Sequence, residues 1–269
     1  MSGFNLIIKP DEDDIEAAEV YVDGRIEGKK YRFILDTGSA RTSVQFNNYT
    51  SKFECIQKNN SSGVFAKITD NLIRVPYIKL GPILKKNFTL VRLPENSINI
   101  RNLIGMDILK DFCCHFYFDE NRVLIDNSEE VEIRDPLHEL FLGKRFHPYI
   151  KIQFEKLKVN AVWDTGAGIT TVDLNFINKH PSYFQEIGQS IGTDSTGAKM
   201  ETTMFTMVTT IIGNNEFPPH KVAGVDLSHI NSTSEVSIDL ILGYSTLCKA
   251  NWLFDFPHKK WAVLKILKE

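Results

Sequence analysis

The chain is written twice. The segment "YVDGRIEGKKYRFILDTGSARTSV" (21–44) aligns without a gap on "YIKIQFEKLKVNAVWDTGAGITTV" (149–172), which sets Asp36 and Asp164 128 residues apart. Further along, "NLIGMDILKDF" (102–112) matches "DLILGYSTLCKA" (239–250) around Gly105 and Gly243, and each copy runs into an aromatic-rich strand pair, 115–125 and 251–266. Each half therefore reads as a hairpin, Asp-Thr-Gly, a variable middle, two aliphatic residues and Gly, a short helix and a terminal hairpin. Two copies of one unit pack naturally about a pseudo-two-fold axis, where corresponding segments meet.

Strand signals dominate both copies. "YRFIL" (31–35), "VNAVW" (159–163), "FTLVRL" (88–93), "TTMFTMVTTII" (202–212) and "WAVLKIL" (261–267) are rich in β-branched and aromatic residues. Turn residues separate them, among them Ser61-Ser62-Gly63 and Ser195-Thr196-Gly197. Helical patterns are short: after Gly105, at 135–141 and at 173–180. The expectation is an all-β fold with an N-terminal lobe over 1–130, a polar linker over 131–147 and a C-terminal lobe over 148–269. Residues 4–9, 131–133 and 262–269 are candidates for a sheet shared beneath both lobes.

Each Asp-Thr-Gly closes an apolar strand, where an unpartnered carboxylate is costly. If the lobes pair about a two-fold axis, Asp36 and Asp164 face each other. Two carboxyls that close share a proton and titrate as a unit. The ionised member is then able to take a proton from water while the protonated member donates to an amide carbonyl, without metal or covalent intermediate.

On these motifs the chain resembles the aspartic protease superfamily of pepsins and retropepsins, over residues 21 to 266. It is most similar to bacterial retropepsin-like domains fused in one polypeptide, since both lobes are alike and each carries a candidate flap. The resemblance implies a bilobal pepsin/retropepsin-like fold with Asp36 and Asp164 as the dyad. It also implies that Thr37 and Thr165 interlock across the axis and that Gly38 and Gly166 floor a peptide cleft. The flaps map to Ser62-Gly63 and Thr196-Gly197. The implied activity is endopeptidase cleavage of peptide or protein substrates by a monomer, with no cofactor and no metal. The residue after each motif differs, Ser39 against Ala167. A Ser39 hydroxyl donating to Asp36 would favour its ionised form, making Asp36 the base and Asp164 the proton carrier. The reading from a different class is a catalytically silent peptide-binding or scaffolding protein on the same fold.

Other features point away from competing functions. A net charge of −3 offers no electrostatic footprint for nucleic acid. No apolar run reaches the roughly 18 to 20 residues of a membrane-spanning helix, and the N-terminus lacks a signal-peptide pattern. Four cysteines without CxxC spacing fit a cytoplasmic protein. "GQSIG" (188–192) matches a nucleophile elbow formally, yet its neighbours are turn-rich, where an elbow needs strand and helix. Cys113-Cys114-His115 lacks zinc spacing and reads as a strand with thiols on opposite faces. Trp163, beside Asp164, reads as core, and the acidic run Asp11–Asp14 as solvated surface.

Overall fold

Alternating burial builds the strands, and three sheets collect them. The structure, a computed structural model, describes residues 2–95, 97, 100–126, 136–194 and 196–267, with backbone alone at Ser62. It is mostly β with a few short helices. An eight-stranded sheet draws all its strands from Ile7–Pro10 through Leu103–Ile104, and a ten-stranded sheet from Phe141–Leu142 through Leu240–Leu242. A six-stranded sheet takes strands from both ends of the chain: Ser2–Asn5, Arg122–Asp126, Cys113–Tyr117, Ala250–Asp255, Lys260–Ile266 and His138–Glu139, in that order.

The repeat in sequence is a repeat in register. Strand Lys29–Leu35 runs parallel to Leu103–Ile104, with Ile34 opposite Leu103 and Leu35 opposite Ile104. Strand Leu157–Trp163 runs parallel to Leu240–Leu242, with Val162 opposite Ile241 and Trp163 opposite Leu242. These strands are buried at their C-terminal ends, as their continuous apolar runs require. Helices Met106–Leu109 and Tyr244–Leu247 follow Gly105 and Gly243.

The six-stranded sheet joins the halves. Cys113–Tyr117 pairs antiparallel with Ala250–Asp255, setting Phe116 opposite Trp252. Above this seam Trp163 packs its ring 4.7 Å from Phe116 and 4.4 Å from Phe254, centroid to centroid. Trp163 is fully buried, so it is core, as expected. Asp164 thus leaves a strand whose last side chain is locked in an aromatic cluster drawn from both halves.

Several expectations are corrected. Residues 135–141 were expected to be helical, but His138–Glu139 and Phe141–Leu142 are strands. Leu140 between them is buried and donates its N–H to the Lys259 carbonyl at 2.8 Å, so sheet pairing outweighs the short helical pattern. The expected linker is therefore partly strand, and its residues 131–133, the central candidate for the shared sheet, lie outside the described residues. Residues 4–9 divide at Leu6, since Ser2–Asn5 joins the six-stranded sheet and Ile7–Pro10 the eight-stranded one. "GQSIG" lies within the single strand Phe184–Thr193, with Ser190 opposite Thr202, so no elbow forms. Cys113 is half-buried and Cys114 buried in one strand. Among the described residues no helix is long and apolar enough to cross a membrane.

Because the seam is one continuous core, Phe116→Ala should destabilise the whole molecule by roughly 3 to 5 kcal/mol. Chemical denaturation followed by fluorescence and far-ultraviolet circular dichroism should show one coincident transition at lower denaturant; separate transitions for the two halves would refute a shared core.

Candidate functional site

Two loops that follow equivalent strands grip each other. The Thr37 hydroxyl donates to the Trp163 carbonyl at 2.8 Å and accepts the Thr165 N–H at 3.1 Å. Reciprocally, the Thr165 hydroxyl donates to the Leu35 carbonyl at 2.6 Å and accepts the Thr37 N–H at 3.2 Å. Both threonines are fully buried, and each hydroxyl serves at once as donor and acceptor. The strands leading to Asp36 and Asp164 are thereby tied end to end.

The grip brings the carboxyls together. Asp36 and Asp164 lie close enough for each carboxyl to shift the other's titration. Glycine is required at both flanking positions: a Cβ on Gly38 would lie 2.3 Å from Asp164 Oδ2, and one on Gly166 2.5 Å from Asp36 Cγ. Their backbone N–H groups are not shared evenly. Gly38 N donates to Asp164 Oδ1 at 3.0 Å and Gly166 N to the same oxygen at 2.8 Å.

The surroundings act differently on the two carboxyls. Burial pushes Asp36 well above the ordinary carboxylate value, and the Asp164 charge and hydrogen bond push it further. Burial raises Asp164 too, but the Gly166 and Gly38 N–H groups and the bond from Asp36 pull against it. Backbone N–H groups of Ser39 and Gly38 also pull Asp36 down, so both carboxyls are raised by burial, and their mutual interaction raises Asp36 while it lowers Asp164. The hydroxyl bond expected from Ser39 to Asp36 is not formed, because the Ser39 hydroxyl donates to the Arg41 carbonyl at 3.0 Å. Ser39 and Ala167 act alike through their backbones, their carbonyls accepting Met106 N and Tyr244 N at 2.8 Å each.

Beneath the loops, Gly105 N donates to Thr42 Oγ1 at 3.1 Å and Gly243 N to Thr170 Oγ1 at 3.0 Å. The two supports then diverge. Thr42 donates through its hydroxyl to Asp107 at 2.7 Å and through its N–H to both Asp107 oxygens. Burial lifts the Asp107 carboxyl to about 6 against these donors. In the other half Thr170 meets Thr246 at 2.7 Å, and Thr246 meets His220 Nε2 at 2.7 Å. His220 Nδ1 lies 2.8 Å from the Pro218 carbonyl, which only accepts, so Nδ1 carries the proton. Nε2 then accepts from Thr246, which accepts from Thr170. Burial lowers the His220 pKa, consistent with this neutral tautomer.

The two candidate flaps are hairpins whose tips touch. Strands Cys55–Ser62 and Lys67–Leu80 form one, and Phe184–Thr193 and Lys199–Met207 the other. Between tips, Asp194 Oδ2 accepts the Phe65 N–H at 2.7 Å. Asp194 Oδ1 accepts Thr196 N at 2.9 Å, Thr196 Oγ1 at 2.6 Å and Ala198 N at 3.2 Å within its own turn. Gly63 is buried against this carboxylate, and a Cβ there would lie 2.3 Å from Asp194 Oδ2. Gly197 donates its N–H to the Asp194 carbonyl. Val64 and Phe65 pack on a buried apolar cluster of the second half, which includes Tyr149, Met204 and Ile241 and against which Ala167, Ile169 and Ile230 also pack.

Sequence reasoning thus found Asp36, Thr37, Gly38, Asp164, Thr165 and Gly166, which the fold brings to one place. It missed Thr42 and Thr170, six residues after each Asp, although the 128-residue offset marks them. Asp194 was equally readable as an Asx-turn residue ahead of Thr196-Gly197. The acidic segment is not merely solvated, because Asp14 pairs with Lys221 at 3.0 Å and Glu16 accepts Lys221 N at 3.1 Å. Among the described residues no group of three or more His, Cys, Asp and Glu side chains is placed to hold a metal ion. No protein-family model and no curated protein matches this sequence.

The raised Asp36 pKa carries a stability signature. With the folded value above the ordinary 3.8, its contribution is fully present below 3.8 and is lost as pH rises through the folded value. Asp36→Asn, neutral throughout, should melt above wild type at pH 7 and approach it toward pH 3; a gap independent of pH would contradict a buried, protonated Asp36. Separately, Asp194→Ala should speed amide exchange at Phe65, Thr196 and Ala198 by roughly 10- to 100-fold. Unchanged protection at Phe65 would show that the tips are not joined through Asp194.

Proposed function

We propose that this chain is an aspartic endopeptidase with a bilobal, pepsin/retropepsin-like fold, active as a single polypeptide. The observation that carries this reading is the reciprocal Thr37–Thr165 grip, which sets the carboxyls of Asp36, buried, and Asp164, half-buried, each against the opposite loop. A purely structural aspartate pair would be better replaced by neutral residues, since the buried charge is costly. The two lobes correspond to the eight- and ten-stranded sheets, and the six-stranded sheet lies beneath the cleft between them.

The chemistry follows from the uneven donors. A water held between the carboxyls gives a proton to Asp164 as its oxygen attacks the scissile carbonyl carbon. Asp36 gives its proton to the carbonyl oxygen, so a neutral gem-diol forms. Collapse returns one hydroxyl proton to Asp36 while Asp164 passes its proton to the departing amine nitrogen. The C–N bond breaks and the dyad regains its single proton. The hairpin tips close over an extended peptide, which is bound as an added strand through main-chain hydrogen bonds.

Incubation with a diverse peptide library across pH 4 to 7 tests the reading. Wild type should cleave, and both Asp36→Asn and Asp164→Asn should lower kcat by about 10³-fold or more with the fold retained. Cleavage untouched by either substitution would refute the dyad. Absence of cleavage, with peptides still bound, would favour a silent binding protein.

A further inference from the structure

One end of the interlobe surface is cationic and unpartnered. The first hairpin contributes Asn60, Lys67 and Thr69 to a concavity whose other wall is Arg145, His229 and Thr233 from the second half. Asn60 pairs with Thr69 across the hairpin, and Lys67 with Ser62 two residues on, so the three named hairpin residues share a face. Lys67 and Arg145 are exposed, and among the described residues neither has an ion-pair partner. Nearby carboxylates are committed elsewhere. Asp70 is buried and accepts from Asn59 at 2.8 Å and Ser61 at 2.6 Å. Glu235 pairs with Lys144 at 3.3 Å and accepts its N–H at 2.8 Å.

This concavity and the dyad are bordered by residues that pack on one apolar cluster. Phe65, two residues before Lys67, packs on the same cluster as Ile230, beside His229, and as Ala167 and Ile169, just past Asp164. An extended peptide advances about 3.3 Å per residue, so a chain crossing the dyad reaches this end within a few residues. We infer that Lys67 and Arg145 bind a substrate carboxylate at this end of the cleft, so that the peptides this site takes are acidic. The inference rests on the peptidase reading. Arg145 offers a planar fork for two carboxylate oxygens and Lys67 a point charge, while Asn60, whose Oδ1 accepts the Thr69 hydroxyl at 3.0 Å, turns its amide N–H groups to the concavity as neutral donors. The carboxylate has two possible sources, an internal Asp or Glu side chain or the peptide's own C-terminus.

Matched peptides around one cleaved sequence test this. One series places Glu, Gln or Lys at each position flanking the cleavage site with an amidated C-terminus. A second keeps neutral side chains and compares a free with an amidated C-terminus. Wild type should favour one carboxylate form over its neutral match by on the order of 3- to 10-fold in kcat/KM, chiefly through KM. The double variant Lys67→Glu/Arg145→Glu should reverse that preference, read within each protein as the ratio of kcat/KM for the carboxylate peptide to that for its neutral match. Constants within twofold across both series, unmoved by the charge reversal, would overturn the inference. If no peptide is cleaved, the peptidase reading fails, and fluorescence anisotropy of the same labelled peptides then decides the inference: tighter acidic binding lost in the double variant supports it, and equal binding in both proteins overturns it.

Discussion

Two threonine hydroxyls, each giving one hydrogen bond and taking one, hold the site together. The bonds cross between halves of the chain 128 residues apart, so neither loop is complete without the other. Buried hydroxyls of this kind are costly when unmatched. The strands beneath them must therefore end at the same height and face each other, which the parallel pairing with Leu103–Ile104 and Leu240–Leu242 arranges. The missing Cβ atoms of Gly38 and Gly166 then let each carboxyl sit against the opposite loop.

Near-symmetry in backbone becomes asymmetry in charge. Both glycine N–H groups point at one oxygen of Asp164, and the neighbouring carboxyl adds to burial in raising Asp36. The supports beneath diverge in the same sense. A half-buried carboxyl, Asp107, anchors the Thr42 side, and a neutral His220 relay ends the Thr170 side. Duplicated loops can keep one geometry while their surroundings drift, because Thr42 and Thr170 need only an acceptor, whose identity is free.

Much of this was legible from the residues. Repetition of Asp-Thr-Gly at fixed offset located both loops and their partners Gly105 and Gly243, because a periodic constraint on backbone leaves its mark on small residues. Trp163 read as core because an apolar strand ends there. What escaped depends on side-chain direction. Ser39 could be read as a donor to Asp36, but only the rotamer shows its hydroxyl turned to the Arg41 carbonyl. The strands at 138–142 escaped because short segments follow their sheet neighbours more than their own propensity. Asp194 and Phe65 lie in variable middles, where the two halves no longer align and the repeat carries no information.

The joined tips connect access to the dyad with the rest of the fold. Phe65 rests on a surface that Ala167 and Ile169 share, and Ala167 is bonded through its carbonyl to Tyr244, at the start of a helix buried in the second half. Under the peptidase reading, a peptide side chain entering beside Asp164 would compete with Phe65 for that cluster. Displacing that ring strains the Asp194 contact that orders both turns. Under the peptidase reading, opening for entry and closing over substrate are one equilibrium, with Asp194 holding the closed side and the incoming side chain replacing Phe65 on the open one.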